Sequence, residues 1–379
     1  MGAYAGVQLD GLVITSARLT LRPWRASDAD AVVDAMQDRS MFEFLPLPDP
    51  YTRTDADAFV TRYGDEGRAD GTGIGSAVVE TSTGRLVGSA ALRFPAVRGS
   101  TAATIGYWVA AAGRGNGYSA EVSRVLTHWA FAHGIARVEI RCATGNIASA
   151  RSALAAGFRF EGVLRGEGAM PGSAAPVDHA VFGRLPADSG DPVAPSAVPP
   201  PRGSASDGVV ELRPLAPADR SAVAELEADP ETLRWALATG PLTTAEYAAR
   251  VTAEAALHWL VGPELRFAIA DVSTGRCAGT LSVRRTGPPQ VGLVGYAVHP
   301  AFRGRGYTAR ALRVLQAWAF GAADFARLEL GAHAANVASQ KVALAGGFEP
   351  DGVRRRRLRT PDGTFSDEVR FAVVNPRYQ

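Results

Sequence analysis

The chain has 379 residues, of which 46% are apolar, and a formal net charge of +2. This length predicts two domains, and no run approaches the 18 consecutive apolar residues of a membrane span, so we expect no membrane partner. No secretory signal is visible either, and two distant cysteines, Cys142 and Cys277, form neither a disulfide framework nor a zinc set. The sequence therefore predicts a cytoplasmic protein without a metal site, and the near-neutral charge gives no argument for a nucleic-acid partner.

The first predicted elements are a short strand, TLRP, and a helix. The stretch SDADAVVDAMQD at 27–38 predicts a helix that begins at Ser27 or Asp28 as its N-cap. A variable, helix-prone segment follows at 41–70. Two strands then follow, joined by the turn TSTGR at 81–85.

The next elements surround a loop rich in glycine and arginine. The strand IGYWV at 105–109 leads into RGNGYS at 114–119, and a long helix follows, with Gly134 as its predicted C-cap. The apolar residues of this helix recur at helical spacing: Val122, Val125, Leu126, Trp129 and Ala130. The strand RVEIRCA at 137–143, the motif NIAS at 146–149, a short helix, GF and closing strands complete the unit. Strands that alternate with helices predict an α/β or mixed α+β fold.

The whole order then occurs a second time. Four pairs of segments match: 19–29 with 210–220, 81–93 with 272–284, 105–109 with 294–298, and 146–163 with 336–353. The stretch between the copies is biased toward Pro, Ser, Gly and Ala, a composition that predicts a semi-stiff linker. The sequence thus predicts domains at 10–185 and 208–379, joined by a linker at 186–207.

The loop before each long helix has the composition of an anion site. The first turn of a helix presents unpaired N–H groups and a partial positive charge, and glycine lets a phosphate approach the backbone. Neither a Walker lysine nor a GxGxxG pattern is present. A solvated basic turn that caps the helix remains an alternative for an isolated R-G-x-G.

In the observed order, strand, R-G-x-G-Y, helix, strand, N-x-A-S, helix and GF, the chain resembles the GNAT acetyltransferase superfamily. Its entry segment TSARLTLRPWRASDADAVVDAMQD and closing DGTFSDEVRFAVV resemble the ribosomal-protein N-terminal alanine acetyltransferases in particular. The resemblance covers residues 12–185 and 208–379. It implies two GNAT domains, each a mixed, mostly antiparallel sheet whose two central strands splay apart to admit acetyl-CoA or another short acyl-CoA.

The resemblance also implies a set of site residues. The diphosphate would bind Arg114, Gly115, Asn116, Gly117, Tyr118 and Ser119 in the first copy and Arg303, Gly304, Arg305, Gly306, Tyr307 and Thr308 in the second. The pantetheine arm would lie beside Val109 and Val298, held by Asn146 and Asn336. Ser149 and Ser339 would lie near the sulfur and protonate the departing thiolate, although both are also in position to cap a helix.

Several positions depart from the family pattern. Ser119 and Thr308 replace the usual Gly or Ala at the end of the loop. Alanines stand where many relatives have a tyrosine acid, at Ala153 and Ala343, and no glutamate base precedes the central strand, where Thr104 and Leu293 are found. Among the remaining carboxylates of the first copy, Glu43 is the best candidate for binding the acceptor amine.

The missing base favours an acceptor of low basicity. At pH 7, supplying the neutral nucleophile costs roughly 1 kcal/mol for an α-amine and about 4.5 kcal/mol for a lysine amine. Holding the two reactants together contributes roughly 7–11 kcal/mol. The predicted function is thus an acetyl-CoA-dependent N-acetyltransferase that acts on a primary amine, either a protein or peptide N-terminus or a small molecule such as an antibiotic.

Two other readings of the sequence remain open. One copy could be a non-catalytic acyl-CoA-binding or structural domain, because both copies lack the usual acid and base. The run RRRRLR at 354–359 could attract RNA or an acidic acceptor, although a solvated strand edge is favoured. The sequence makes no prediction of oligomeric state.

Overall fold

The computed structural model describes residues 9–69, 71–94, 102–169, 176–195, 201, 205–235, 243–262, 264–288, 290–360 and 363–378. The chain divides into two compact units, Met1–Pro195 and Ser196–Gln379. They are called here the N-terminal and the C-terminal domain, and each is described by itself.

The N-terminal domain is built on one eight-stranded sheet. Its strands are β1 (Ile14–Thr15), β2 (Leu19–Arg22), β3 (Gly73–Glu80), β4 (Leu86–Arg93), β5 (Ala102–Val109), β6 (Arg137–Ala143), β7 (Arg159–Ala169) and β8 (Pro176–Arg184). The order across the sheet is β1-β2-β3-β4-β5-β6-β8-β7. The pairing of β5 with β6 is parallel and the other pairs are antiparallel.

Among its described residues are four α-helices: α1 (Ala29–Met36), α2 (Arg53–Ala69), α3 (Tyr118–Ala132) and α4 (Ile147–Ala155). The predicted helix at 27–38 is therefore present, with a single 3₁₀ turn, Ala26–Asp28, as its entry. Helix α3 contributes its buried face, which includes Val122 and Leu126, to the core against the sheet.

The C-terminal domain repeats this plan on seven strands. They are β9 (Val210–Pro214), β10 (Glu264–Asp271), β11 (Cys277–Thr286), β12 (Val291–Val298), β13 (Arg327–His333), β14 (Glu349–Arg359) and β15 (Phe365–Val374). The order is β14-β15-β13-β12-β11-β10-β9, and β12 pairs with β13 in parallel. The helices are α5 (Arg220–Ala228), α6 (Pro230–Trp235), α7 (Thr244–Val261), α8 (Tyr307–Phe320) and α9 (Val337–Ala345). The predicted mixed, mostly antiparallel fold is confirmed in both copies.

Aromatic side chains fill the C-terminal core between helix α8 and the sheet. The ring of Phe267 meets those of Trp259 and Trp318 edge-on, at centroid distances of 5.0 and 5.2 Å. Phe267 is fully buried, and edge-to-face packing adds to the free energy that its burial contributes. Trp318 is thus a core residue, as its place on the apolar stripe of the helix predicts.

The ends of the predicted linker pack against the domains they leave and enter. The Val193 N–H donates to the carbonyl of Leu154, at 2.9 Å. On the other side, Ala205 is buried and its carbonyl accepts a hydrogen bond from the Leu212 N–H at 2.8 Å. Short backbone contacts of this kind need no apolar side chains, which explains how a segment of this composition is partly fixed.

The run RRRRLR lies on β14, an edge strand whose side chains are mostly exposed. This is the solvated strand edge that the sequence favours. Among the helices of the described ranges, none is both long and apolar enough to cross a membrane.

A buried ion pair fixes the entry to α1. The Asp28 carboxylate accepts hydrogen bonds from both terminal nitrogens of Arg22, at 2.7 and 2.8 Å, and from the Arg25 N–H at 2.8 Å. Burial opposes ionisation of Asp28, but these donors outweigh it and hold the pKa of the carboxyl below its usual value.

We expect Asp28→Asn to lower the free energy of unfolding of the N-terminal domain by about 2 kcal/mol at pH 7, since it weakens charge-assisted hydrogen bonds. A carboxyl with a depressed folded pKa stabilises above its unfolded pKa, and that stability is lost as pH falls through the folded pKa. The difference between wild type and variant therefore begins to shrink near the unfolded pKa of about 4 and disappears only below the lower, folded pKa. Hydrogen exchange of the β2 amides in the full chain measures the difference. The exposed Asp34→Asn is the matched control, and an equal loss there would contradict the assignment.

Candidate active site

The central strands of each domain separate part-way along their length. In the N-terminal domain β5 and β6 are paired from Ala102 to Ile105, yet β5 continues to Val109 and β6 to Ala143. In the C-terminal domain the β12–β13 pairing ends at Val294, although β12 continues to Val298. Each sheet thus opens a cleft at its centre, as the family resemblance implies.

Backbone groups of the first strand line this cleft. The Ala110 N–H donates to the backbone carbonyl of Val87 on β4, at 2.9 Å. The backbone N–H of His299 donates to the carbonyl of Ala278 at the same distance. Because successive backbone groups of a strand point to opposite sides, the preceding residues turn their amides away from that neighbour. Val109 and Val298 therefore direct their N–H groups into the opening.

The loop after each strand exposes its amide groups. Gly115 and Gly117 have φ angles of +78° and +74°, and Gly304 and Gly306 have +72° and +74°. Glycine adopts this left-handed backbone without the steric cost of a side chain. A Cβ at Gly115, Gly304 or Gly306 would meet nothing within 4 Å, so the space above the loop is open.

These amides lack acceptors. Within the described residues, the backbone N–H groups of residues 115–120 and 304–309 make no hydrogen bond of good geometry. Gly117 and Gly306 are the N-caps of α3 and α8, and neither helix has a side-chain cap. Six successive unpaired amides at a helix N-terminus form a cup with positive potential, which suits the two phosphates of a diphosphate.

The first arginine of each loop binds an aspartate and a hydroxyl group of its own domain. Arg114 forms an ion pair with Asp38 at 2.7 Å and donates to the Ser40 hydroxyl at 2.8 Å. Arg303 pairs with Asp229 and donates to the Thr232 hydroxyl at 3.2 Å. Both guanidinium groups thus bind the segment after the first helix of their domain, and in this structure they fix the loop.

Other residues predicted on the loops have individual partners. The Asn116 amide donates to the Gly113 and Arg114 carbonyls, at 3.2 and 3.3 Å. The exposed Arg305 lies over the ring of Phe302, 5.6 Å from its centroid. Thr308 is buried in the first turn of α8.

Tyr118 and Tyr307 anchor the helix starts. The Tyr118 hydroxyl donates to Glu80 at 2.6 Å, and Tyr307 donates to Asp271. Arg85 and then Tyr118 hold the pKa of Glu80 at about 2. Ser119, at the end of the first loop, shares a 2.8 Å hydrogen bond with the Ser152 hydroxyl on α4.

The serines predicted near the sulfur are not the caps of their helices. Asn146 and Asn336 cap α4 and α9, since their side-chain oxygens accept from the Ser149 and Ser339 N–H groups at 3.0 Å. The capping alternative for the two serines is therefore wrong. Their hydroxyl groups remain available for other contacts.

In each domain a tyrosine hydroxyl lies within hydrogen-bond distance of that serine hydroxyl. Tyr107 on β5 lies 3.0 Å from the Ser149 hydroxyl, and Tyr296 on β12 lies 2.9 Å from that of Ser339. Burial raises the pKa of Tyr107 to about 12 and raises that of Tyr296 as well, so both phenols keep their protons at neutral pH. Sequence reasoning missed these residues, although the repeated GYxV motif contains them.

Glu43 lies apart from these groups. It ends the 3₁₀ turn Arg39–Glu43, and its side chain is exposed. The neighbouring Met41 is buried in the core cluster that includes Trp24 and Trp108. Its segment adjoins the loop, because Arg114 contacts Asp38.

A cleft between splayed strands and an amide cup at a helix N-terminus are thus present twice. Residues 18–159 and 210–349 match the family model described as Acetyltransferase (GNAT) domain. These ranges take up well over half of the 379 residues, so the chain belongs to the GNAT acetyltransferase family and carries its domain twice. The predicted family is confirmed.

Three individual relatives share 30% or less of their residues with this chain over the matched parts. The "Probable N-acetyltransferase YjcK" of Bacillus subtilis (strain 168) is 30% identical over 115 residues, which are 30% of this chain and 63% of that relative, less than two thirds of its length. Mycobacterium smegmatis RimJ in complex with CoA-disulfide is 24% identical, with a TM-score of 0.41, over 49% of this chain and 91% of that one. The ribosomal-protein-S5-alanine acetyltransferase of Vibrio fischeri is 22% identical, with a TM-score of 0.39, over 45% and 95% of the two chains.

Proposed function

We propose that the protein is an N-acetyltransferase that moves the acetyl group of acetyl-CoA, or of another short acyl-CoA, to a primary amine. The observation that carries this proposal is the pair of open amide cups at 115–120 and 304–309, each at the mouth of a splayed cleft. A basic cap of the helix, the alternative for an isolated loop, needs neither the splay nor the open space above the glycines.

The residues present fit the cofactor along its length. The amide cup suits the diphosphate, since its donors point outward and have no protein acceptor in the described residues. The open edge of β5 and β12 beyond the splay can pair with the extended pantetheine arm as a neighbouring strand would. Val109 and Val298 lie where that edge meets the loop.

When bound, acetyl-CoA supplies a thioester, and attack by the amine nitrogen on its carbonyl carbon forms the C–N bond and breaks the C–S bond. The Val109 or Val298 N–H is a donor for the carbonyl oxygen as negative charge develops there. Ser149 or Ser339 gives its hydroxyl proton to the departing sulfur and takes one back from the solvent, which receives the proton that the amine loses. The amine loses its proton to solvent, because neither Thr104 nor Leu293 is a base.

The tyrosines act through the serines as positioning residues. Tyr107 stays a phenol at neutral pH and lies 3.0 Å from the Ser149 hydroxyl, where either group can donate. When the phenol donates, the serine proton is free to point at the sulfur. Tyr296 does the same for Ser339. The missing tyrosine acid at Ala153 and Ala343 is then replaced by a hydroxyl pair contributed from two elements.

We expect Tyr107→Phe and Tyr296→Phe together to lower kcat about 10-fold at unchanged KM for acetyl-CoA, because the serine proton loses its orientation but the binding cup stays intact. Steady-state thiol release measures both constants. A rise in KM at constant kcat would assign the tyrosines to cofactor binding instead.

Two measurements test the function itself: the number of CoA molecules bound per chain and the release of thiol from acetyl-CoA. Equilibrium dialysis of the full chain with CoA is expected to give two bound molecules per chain. Thiol release from acetyl-CoA is expected with an alanine-initiated peptide at pH 7 and to be weaker with an Nα-acetylated lysine peptide, because the lysine amine is about 3.5 kcal/mol costlier to deprotonate. A chain that binds no CoA would overturn the proposal.

A further inference from the structure

The C-terminal domain contains a cavity of about 210 Å³ that the cofactor site does not use. Its walls come from helices α5 and α7 and from strands β10, β11 and β12. The polar residues of its lining include Glu227, Tyr247, Glu264 and Arg266. Pockets for drug-sized ligands begin at roughly 300 Å³, so this one suits a smaller occupant.

The charges in the cavity do not balance. Arg266 donates to Glu264 at 2.7 Å and to the Tyr247 hydroxyl at 3.2 Å, which neutralises one carboxylate. Glu227 has no hydrogen-bond donor or ion-pair partner among the described residues. Burial raises the pKa of Glu227, and Arg266 offsets this in part. Glu227 is half-buried, and Arg266, the cation that acts on its charge, is already bound to Glu264. A further cation in the cavity would therefore be favoured.

The cavity reaches the reaction centre. Its wall includes Gly295, Tyr296 and Ala297, the part of β12 that continues past its last pair with β13, Val294. The Tyr296 hydroxyl contacts Ser339 at 2.9 Å. An amine held in the cavity therefore lies against the same strand segment as the proposed thioester.

The N-terminal domain fills the equivalent space. The two copies align through Asp38 and Asp229, each bound to the first arginine of its loop. In that register Trp24 replaces Leu215 and Met36 replaces Glu227 of the cavity wall, and the match of the GYxV motifs puts Trp108 in place of Ala297. All three are buried in one cluster, where the ring of Phe59 lies 5.1 Å from that of Trp24 and 6.4 Å from that of Trp108.

We propose that this cavity is an acceptor site of the C-terminal domain alone, that it takes an ammonium group on a body of about one amino-acid residue, and that Glu227 binds the ammonium. The inference rests on the proposed function and adds a division of labour between the copies. The N-terminal domain, whose counterpart positions hold two tryptophans and a methionine, does not bind the same acceptor there.

The test is calorimetric titration of alaninamide into the CoA-saturated full chain. We expect one alaninamide per chain and at least about 10-fold weaker binding to Glu227→Gln, since a charge-assisted contact is lost. Ala297→Trp, which copies the N-terminal domain, is expected to abolish binding and leave CoA stoichiometry unchanged. Glu349→Gln removes an exposed carboxylate of the same domain and is the charge-matched control.

Several outcomes would overturn the inference: no alaninamide binding to wild type, equal binding of uncharged N-acetylalaninamide, or unchanged binding to Glu227→Gln. A hexapeptide that begins with alanine separates two supporting results. If it binds as tightly as alaninamide, the acceptor is a peptide N-terminus. If it does not bind, the acceptor is a free small amine. Thiol release and CoA counting report separately on the proposed function, so failure of chemistry with intact alaninamide binding would count against that function only.

Discussion

Gly117→Glu and Gly306→Glu are each expected to remove one of two CoA sites per chain. The substitution places a carboxylate where a diphosphate is to bind, and two like charges about 4 Å apart at a protein surface repel by roughly 4 kcal/mol. Both positions also have a φ of +74°, which a side chain strains. Together these effects predict a loss of affinity of at least about 100-fold in the altered domain.

Equilibrium dialysis is expected to give one CoA per chain for each single variant and none for the double variant. Strain alone is controlled by Gly134→Glu and Gly352→Glu, where φ is +82° and +99° and a Cβ would meet nothing within 4 Å. Gly134 follows α3 at the end opposite the loop, and Gly352 lies on the edge strand β14. Two CoA molecules bound to the double variant would contradict the amide cups as the site.

The second large effect is expected from the serines. Ser149→Ala and Ser339→Ala combined are expected to lower kcat about 100-fold, the lower end of what general acid catalysis contributes. The KM for acetyl-CoA is expected to stay the same, because the amides of the loop and of the open strand edge are intact. The helices also keep their caps, since Asn146 and Asn336 provide them.

Thiol release by the single variants assigns the chemistry to a domain. If the cavity beside Tyr296 is the acceptor site, Ser339→Ala accounts for most of the loss and Ser149→Ala for little. Exposed Ser82→Ala and Ser221→Ala are the controls and are expected to leave kcat unchanged. A double variant with wild-type kcat would show that the thiolate leaves without help from these hydroxyl groups.

The two domains share a fold and differ in the side chains beside the central strand. Both have the splay, the amide cup and the tyrosine–serine pair on which the proposed cofactor site rests. The difference arises on the opposite side of the central strand, where Trp108 and Ala297 hold the same place in the GYxV motif. An indole fills a volume that a methyl group leaves open, which is one of the three replacements behind the proposed acceptor site.

By itself, the sequence determined the repeat, the mixed fold and the location of the glycine loops. These features are local or periodic: helix spacing is visible within one element, and a glycine that must adopt a positive φ, such as Gly117, needs only its neighbours to be recognised.

Only the tertiary structure decided which side chains meet. Tyr107 and Ser149 are 42 positions apart, Arg114 pairs with Asp38 across 76, and Glu227 is left without a partner by residues from several elements. Such contacts depend on strand order and on how far two strands diverge. No single stretch of sequence records either, because both follow from the packing of the whole sheet against its helices.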